Sequence, residues 1–284
     1  SVNAQENGAM KATESGFLPD PIVVPSIASQ LANGTFIGID PNEGPKLGQP
    51  KKKGVNNVIP GKGLPLGNDA LVSYQENAVR KSAKEPLLVF EANTANATPS
   101  DPTGAVGPNH YLGSWNSGFR IFDKAGNPLT PEASLGTIFP GNTLGDPIIL
   151  YDVEADRFII TEFDASPNGF NMAICQGPDP VNDGWYVYTT GFVTGSFPDY
   201  TKFSIWSDGY YMTTHKFASG NWAGAGLTVL DKEAMMNGDE EAGMIEFNVG
   251  SNYYGVLAAD ADGSNPPPEG SPSYLLDIGN NQLR

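Results

Sequence analysis

Three carboxylates, Asp152, Glu154 and Asp156, alternate along "DVEAD" between two apolar runs, "IILY" and "FIITEF". In an extended chain, residues two apart share a side, so these oxygens could converge on a hard cation such as calcium. An Asp that opens a turn has a plainer role, accepting backbone N–H groups two residues on. The corresponding places elsewhere in the chain carry "GPN" and "WSD", with no acidic trio. Turn punctuation is therefore the reading these residues favour.

The stronger metal candidates are Asp260, Asp262 and Asn265 (or Ser264) in "DADGSNPPPEG", where oxygen ligands alternate around a glycine. Calcium is the ion such a set would suit. An EF-hand loop, however, needs glycine at its sixth position and glutamate at its twelfth. Here Gly263 stands fourth and no glutamate stands twelfth. Asp179 and Asp183 in "GPDPVNDGW" read most simply as part of a hairpin loop.

Catalytic residue types are sparse. The two histidines, His110 and His215, fall in different segments, and His110 lies in a turn that favours a structural role. The chain contains neither a G-x-S-x-G elbow nor a His/Cys metal spacing. "GVNNVIPGKG" has the wrong interval for a phosphate loop and no Ser or Thr after Lys62. Cys175, inside the apolar "NMAICQ", reads as a small buried hydrophobe. Any two of the 32 acids could pair for glycoside hydrolysis, and the sequence does not say which face each other. The aromatics are more suggestive, because exposed rings can stack on a sugar or a partner protein. Trp206 and Tyr210 sit at repeated positions and belong to the core. Trp222, in the Gly-rich "ASGNWAGAG", is expected as an exposed anchor, with Tyr253 and Tyr254 as further partner or glycan contacts.

The elements that would position these residues read as all-β. Gly (34) and Pro (24) together make up about a fifth of the 284 residues, as suits turn-rich sheets. Residues 1–84 string short apolar pairs between Pro and Gly with no sustained period, and read as an extended, irregular N-terminal arm that wraps a partner. A short helix is possible over 70–83. From "PLLVFEAN" (86–93) onward short strands follow at frequent turns, so residues 85–284 form a second region.

Within that region the chain repeats. Units open at Asp101-Pro102, Asp146-Pro147 and Pro198-Asp199, with the aspartates 45 and 53 residues apart. Each then reaches a polar turn and an aromatic, Tyr111, Phe158 or Tyr210. In "RFIITEF", Phe158, Ile160 and Glu162 share one face, and Ile159, Thr161 and Phe163 the other. That period suits four-stranded antiparallel units stacked radially as a β-propeller. A fourth unit is expected to open at Gly270, so the ring would be incomplete here and continue beyond residue 284. An early strand such as "PLLVF" would supply closure.

"GAVGPNHYLGSWNSGFRIFDKAGN", "GDPIILYDVEADRFIITEF", "FPDYTKFSIWSDGYYMTT" and "PPPEGSPSYLLD" resemble segments of a family of large bacterial secreted proteins. That family carries "VGPNHY", "DPxxxYDxxADRW" and "PDYPKxxxWPDGYY" in this order, and the match spans roughly residues 98–278. The chain departs at Phe158, where Trp is commoner, and at Thr201 and Ser207, where Pro is usual. The resemblance implies a β-propeller, further modules after it, and export by the type IX route to the cell surface of a Gram-negative bacterium. It brings no catalytic residue.

A formal net charge of −16 repels phosphate backbones and anionic lipid, which disfavours nucleic acid and membrane surfaces as partners. The basic cluster Lys51–Lys53 reads as a solvated loop. No apolar run approaches the roughly 20 residues of a membrane helix. The function expected is non-catalytic adhesion or assembly with other outer-membrane or extracellular proteins. A secreted polysaccharide-degrading enzyme and a spacer of a surface filament are the alternatives.

Overall fold

The computed structural model describes residues 10–39, 85–93, 100–141, 144–164, 169–190, 196–261, 263, 265–279 and 282–283. The chain is all-β, 47% strand and 8% helix, with several antiparallel sheets, none of them closed. Along the chain come first β1 (Glu14–Phe17), β2 (Ile22–Val24) and a short helix, α1 (Ile27–Asn33). Ser26 caps α1 through its hydroxyl, which accepts the N–H of Ser29, and Gly34 ends it in the left-handed conformation.

Three up-and-down sheets follow. The first is β3 (Thr103–Val106), β4 (His110–Trp115), β5 (Gly118–Asp123) and β6 (Ala133–Ser134). The second is β7 (Ile148–Asp152), β8 (Arg157–Asp164), β9 (Gly169–Cys175) and β10 (Trp185–Thr190). The third is β11 (Ser196–Trp206), β12 (Gly209–Ala218), β13 (Asn221–Leu230) and β14 (Gly243–Gly250). A helix, α2 (Lys232–Asn237), bridges β13 and β14, capped by the Asp231 carboxylate on the N–H of Ala234. The remaining strands pair two by two, β15 (Leu257–Ala258) with β16 (Leu275–Leu276), and β17 (Ile278–Gly279) with β18 (Gln282–Leu283).

Why the sheets stack is visible in β8. Phe158 and Ile160 enter one core with Leu112, Phe119 and Ile121 of the first sheet. Ile159 and Phe163, on the opposite face, enter a second core with Phe203, Ile205, Tyr210 and Met212 of the third. A strand buried on both faces can be apolar throughout, and the alternation expected in "RFIITEF" is the one observed. The third sheet repeats the device, with Trp206, Tyr211 and Leu227 packing on Ala258 and Leu275 of the fourth.

A left-handed residue recurs near the start of each of these sheets, in the third within β11 itself. Asp101, Asp146, Tyr200 and Gly255 all have positive φ (39°, 49°, 53° and 73°). Each stands two residues before the point where pairing of the sheet's first strand begins or resumes, at Thr103, Ile148, Lys202 and Leu257. Aspartate and glycine tolerate this left-handed turn, whereas a bulky residue there is an outlier.

Three expectations are corrected. Within the arm read over residues 1–84, residues 10–39 pack on the chain's own sheets. There β1 extends the third sheet by pairing with β14, and β2 extends the second by pairing with β10. Farther along, Gly38 bridges to Ala133 at the edge of the first sheet. Segments of three or four residues have too little length to show a period, yet an open sheet edge stabilises them by completing their hydrogen bonds. Residues 85–93 form no strand; instead the Phe90 ring packs on Tyr111 and Phe122, against Gly126, whose φ of 84° and lack of a Cβ admit it. The fourth unit opens at Gly255, ahead of the expected Gly270, because the Pro- and Gly-rich stretch before β16 interrupts it. The expected helix over 70–83 and Lys51–Lys53 lie outside the described residues.

Candidate ligand-binding site

Two ends of the stacked sheets carry polar and aromatic side chains. At the end where β3 and β7 begin, Asn116 ties neighbouring sheets together. Its Nδ2 reaches Asp101 Oδ2 at 3.4 Å, and its Oδ1 accepts the Asp146 N–H at 3.3 Å. On the third sheet the same end holds a run of rings. Tyr200 stacks on His215 with centroids 5.0 Å apart and planes at 19°. His215 meets Tyr254 at 4.4 Å and Trp222 at 5.3 Å, and Trp222 meets Tyr254 at 5.1 Å. Phe217 continues the run from Trp222, and Phe197 stands opposite Phe217 across the β11–β12 pair.

Local sequence explains the gathering. The bulge between Asp199 and Lys202 kinks β11 and throws Tyr200 outward, where it is 59% exposed. Alternation along β12 puts His215 and Phe217 on one side, and the turn at Ser219 and Gly220 (φ 50° and 78°) returns the chain so that Trp222 faces them. The Trp222 indole N–H donates to the Ser251 carbonyl at 3.1 Å, which fixes the ring beside Tyr254. Lys202 holds its ammonium 4.1 Å from the centre of the Tyr200 ring, a cation–π contact. Burial lowers the Lys202 pKa, which Asp146 and Asp199 oppose. The Tyr254 hydroxyl is shifted up by burial and then by Tyr200 and Asp199.

His215 is buried and its pKa lies below the ordinary 6.5, because burial penalises the imidazolium; Asp199 opposes the shift and Lys202 adds to it. The folded state thus binds fewer protons here than the unfolded chain. The stabilisation is complete above pH 6.5 and is lost as pH falls through the folded value. Urea midpoints taken between about pH 7.5 and 5.5 should fall more steeply for the native protein than for His215→Gln. Parallel slopes would remove His215 as the cause.

The opposite end carries the acids of "DVEAD". Asp152 is 1% exposed, and its Oδ1 accepts the N–H groups of Glu154 and Ala155, the turn role expected of it. Its Oδ2 lies 2.9 Å from the Lys232 ammonium and accepts the Tyr210 hydroxyl at 3.3 Å. Lys232 also meets Glu154 at 3.1 Å, so one lysine neutralises both carboxylates. Asp156 accepts the Tyr151 hydroxyl. A cleft of about 150 Å³ opens here between Asp152, Glu154, Trp206 and Pro266.

The residues singled out from the sequence divide accordingly. Trp222 and Tyr254 come together, with Trp222 half-buried where an exposed anchor is expected, and Tyr253 beside them is half-buried. Asp260 Oδ1 accepts the Ile205 N–H at 2.6 Å, which aligns the fourth sheet with β11. Asn265 is exposed, and Asp262 lies outside the described residues. Among the described residues no group of three or more His, Cys, Asp or Glu is placed to hold a metal. Cys175 is buried with its thiol pushed up to about 12, mainly by burial. His110 meets Asp179 at 3.7 Å across the first and second sheets, and the Asp179 carboxylate also accepts the N–H groups of Val181 and Asn182.

Tyr200, Lys202 and His215 are the site residues that sequence reasoning missed. Aligning the repeats on Asp199 hides the signal; aligning them on Thr103, Ile148 and Lys202, where pairing begins or resumes, puts Tyr200 where Asp101 and Asp146 stand. Among the described residues no helix is long and apolar enough to cross a membrane. The chain matches no protein-family model, no curated protein and no solved structure.

Proposed function

We propose that this chain is a non-catalytic surface module whose sheets are blades of a β-propeller and whose aromatic end holds an extracellular partner. The resemblance of its motifs to those of proteins exported by the type IX route favours presentation outside a Gram-negative cell, in adhesion or assembly. The observation that carries the binding reading is the convergence of Tyr200, His215, Trp222 and Tyr254 at one end, with Tyr200 exposed. Rings held rigid beside charged groups supply contact area at low entropic cost, as interface anchors do. The degradative alternative gains nothing from the opposite cleft, whose Asp152 and Glu154 are bound to Lys232.

Purified, fluorescently labelled protein should decorate intact cells of the producing bacterium. The Trp222→Ala/Tyr254→Ala double variant, checked for an unchanged circular dichroism spectrum, should lose at least about tenfold in apparent affinity, the loss of about 1.4 kcal/mol or more expected of an aromatic anchor. Equal decoration by both proteins would sink the reading.

A further inference from the structure

Tyr200 is the residue whose presence the fold does not explain. Its counterparts at the start of the other sheets are Asp101, Asp146 and Gly255, all suited to a left-handed turn. A tyrosine at φ 53° is strained there. Burial does not offset that strain, since the side chain is among the most exposed of the large apolar residues at 59%. Its stack on His215 and the Lys202 ammonium over its ring still leave the residue more than half exposed, and strain retained at such a residue concentrates at functional positions. Against the ring lie an ammonium (Lys202) and the His215 imidazole, beside it a carboxylate (Asp199, which also accepts the Tyr200 N–H at 2.8 Å), and beyond His215 the half-buried Trp222 and Tyr254.

We infer that Tyr200, with Trp222 and Tyr254, forms a subsite for a neutral polysaccharide; this rests on the binding reading above and names its ligand. Pyranose rings carry C–H groups on their faces, which pack on aromatic rings, and hydroxyls at their edges. Those hydroxyls donate to a carboxylate such as Asp199 and accept from an ammonium such as Lys202. The rings involved are few, Tyr200, Trp222 and Tyr254 around His215, which suits a short stretch of sugar units. A stable protein interface covers about 800 Å² on each side. The −16 charge of the chain repels uronate- or sulfate-bearing glycans, so the ligand is an uncharged one.

The test is native affinity electrophoresis of the full chain in gels cast with hydroxyethyl cellulose, galactomannan, laminarin or dextran. Wild type is expected to be retarded by at least one of them. Tyr200→Asn, which keeps a residue that tolerates positive φ, should lose the retardation while its thermal midpoint stays level or rises by about 2–4 °C. Should the variant fail to fold, the wild type alone still decides, because Trp115, Trp185 and Trp206 are buried and Trp222 is the half-exposed indole. The retarding polysaccharide must then protect tryptophan fluorescence from acrylamide quenching. Absence of retardation in every gel, retention by Tyr200→Asn, or unprotected fluorescence overturns the inference. Cell decoration that depends on Trp222 and Tyr254 without any polysaccharide binding would overturn it alone and leave the broader binding role standing.

Discussion

Replacing Lys232 with Met lowers the stability of the protein by about 3–5 kcal/mol. The lysine is 5% exposed and Asp152 is 1% exposed, and the pair spans two sheets, since Asp152 closes β7 and Lys232 begins α2 beyond β13. Methionine keeps the aliphatic stem and removes the charge, which leaves a buried carboxylate facing the Tyr210 hydroxyl and two backbone N–H groups. Those donors offset part of the desolvation of Asp152, but none carries a charge. The Tyr210 hydroxyl stays protonated and goes on donating, because burial and then Asp152 push its pKa well above the ordinary tyrosine value. Glu154 weighs little, since its side chain is 55% exposed and a pair so wet contributes at most about 1 kcal/mol. Urea denaturation monitored by tryptophan fluorescence measures the loss, and the double variant Lys232→Met/Asp152→Asn should recover more than half of it. A single-variant loss under about 1 kcal/mol would show that the junction is solvated and unimportant.

The same junction shows how far the sequence could be read. That "DVEAD" was a turn followed from Asp chemistry and from the missing trio in the other repeats. That its first aspartate would be paired with a lysine some 80 residues later followed from nothing local, because the partner arrives through sheet stacking. Strand alternation was legible in "RFIITEF", where Phe158 and Ile160 on one face and Ile159 and Phe163 on the other are divided between the two cores. It was illegible in β1 and β2, whose few residues become strands only because β14 and β10 offer them an edge. The fourth sheet was misplaced because Leu257–Ala258 is too short to announce a strand. Trp222 looked loop-borne amid its glycines, yet β13 runs through it as a ten-residue strand. Tyr200 escaped notice because a β-bulge shifts the register by a residue, and only coordinates reveal which residue then carries the positive φ.

Deleting residues 1–39 should abolish independent folding. Along this strap Leu18, Val24 and Ile27 are at most 5% exposed, the first in the core between the second and third sheets, the others in the core between the first and second. Each such side chain contributes about 1.5–3 kcal/mol by burial. Their sum, about 5–9 kcal/mol, rivals the entire stability of an ordinary domain at about 5–15 kcal/mol. Gln30 adds a polar stitch, donating from Nε2 to the carbonyls of Pro25 and Thr137, and the N–H of Ser134 donates to the carbonyl of Ile37. Removal also bares the outer edges of β14 and β10, and bare edges recruit other chains. The truncated protein is therefore expected in the void volume of a gel-filtration column, with the native near-ultraviolet circular dichroism lost. A synthetic peptide of residues 10–39 added during refolding should restore a monomer by strand addition, and the same peptide carrying Leu18→Ser, Val24→Ser and Ile27→Ser should not. A truncated chain that elutes as a monomer and melts where the full chain does would show that the strap decorates the sheets without holding them.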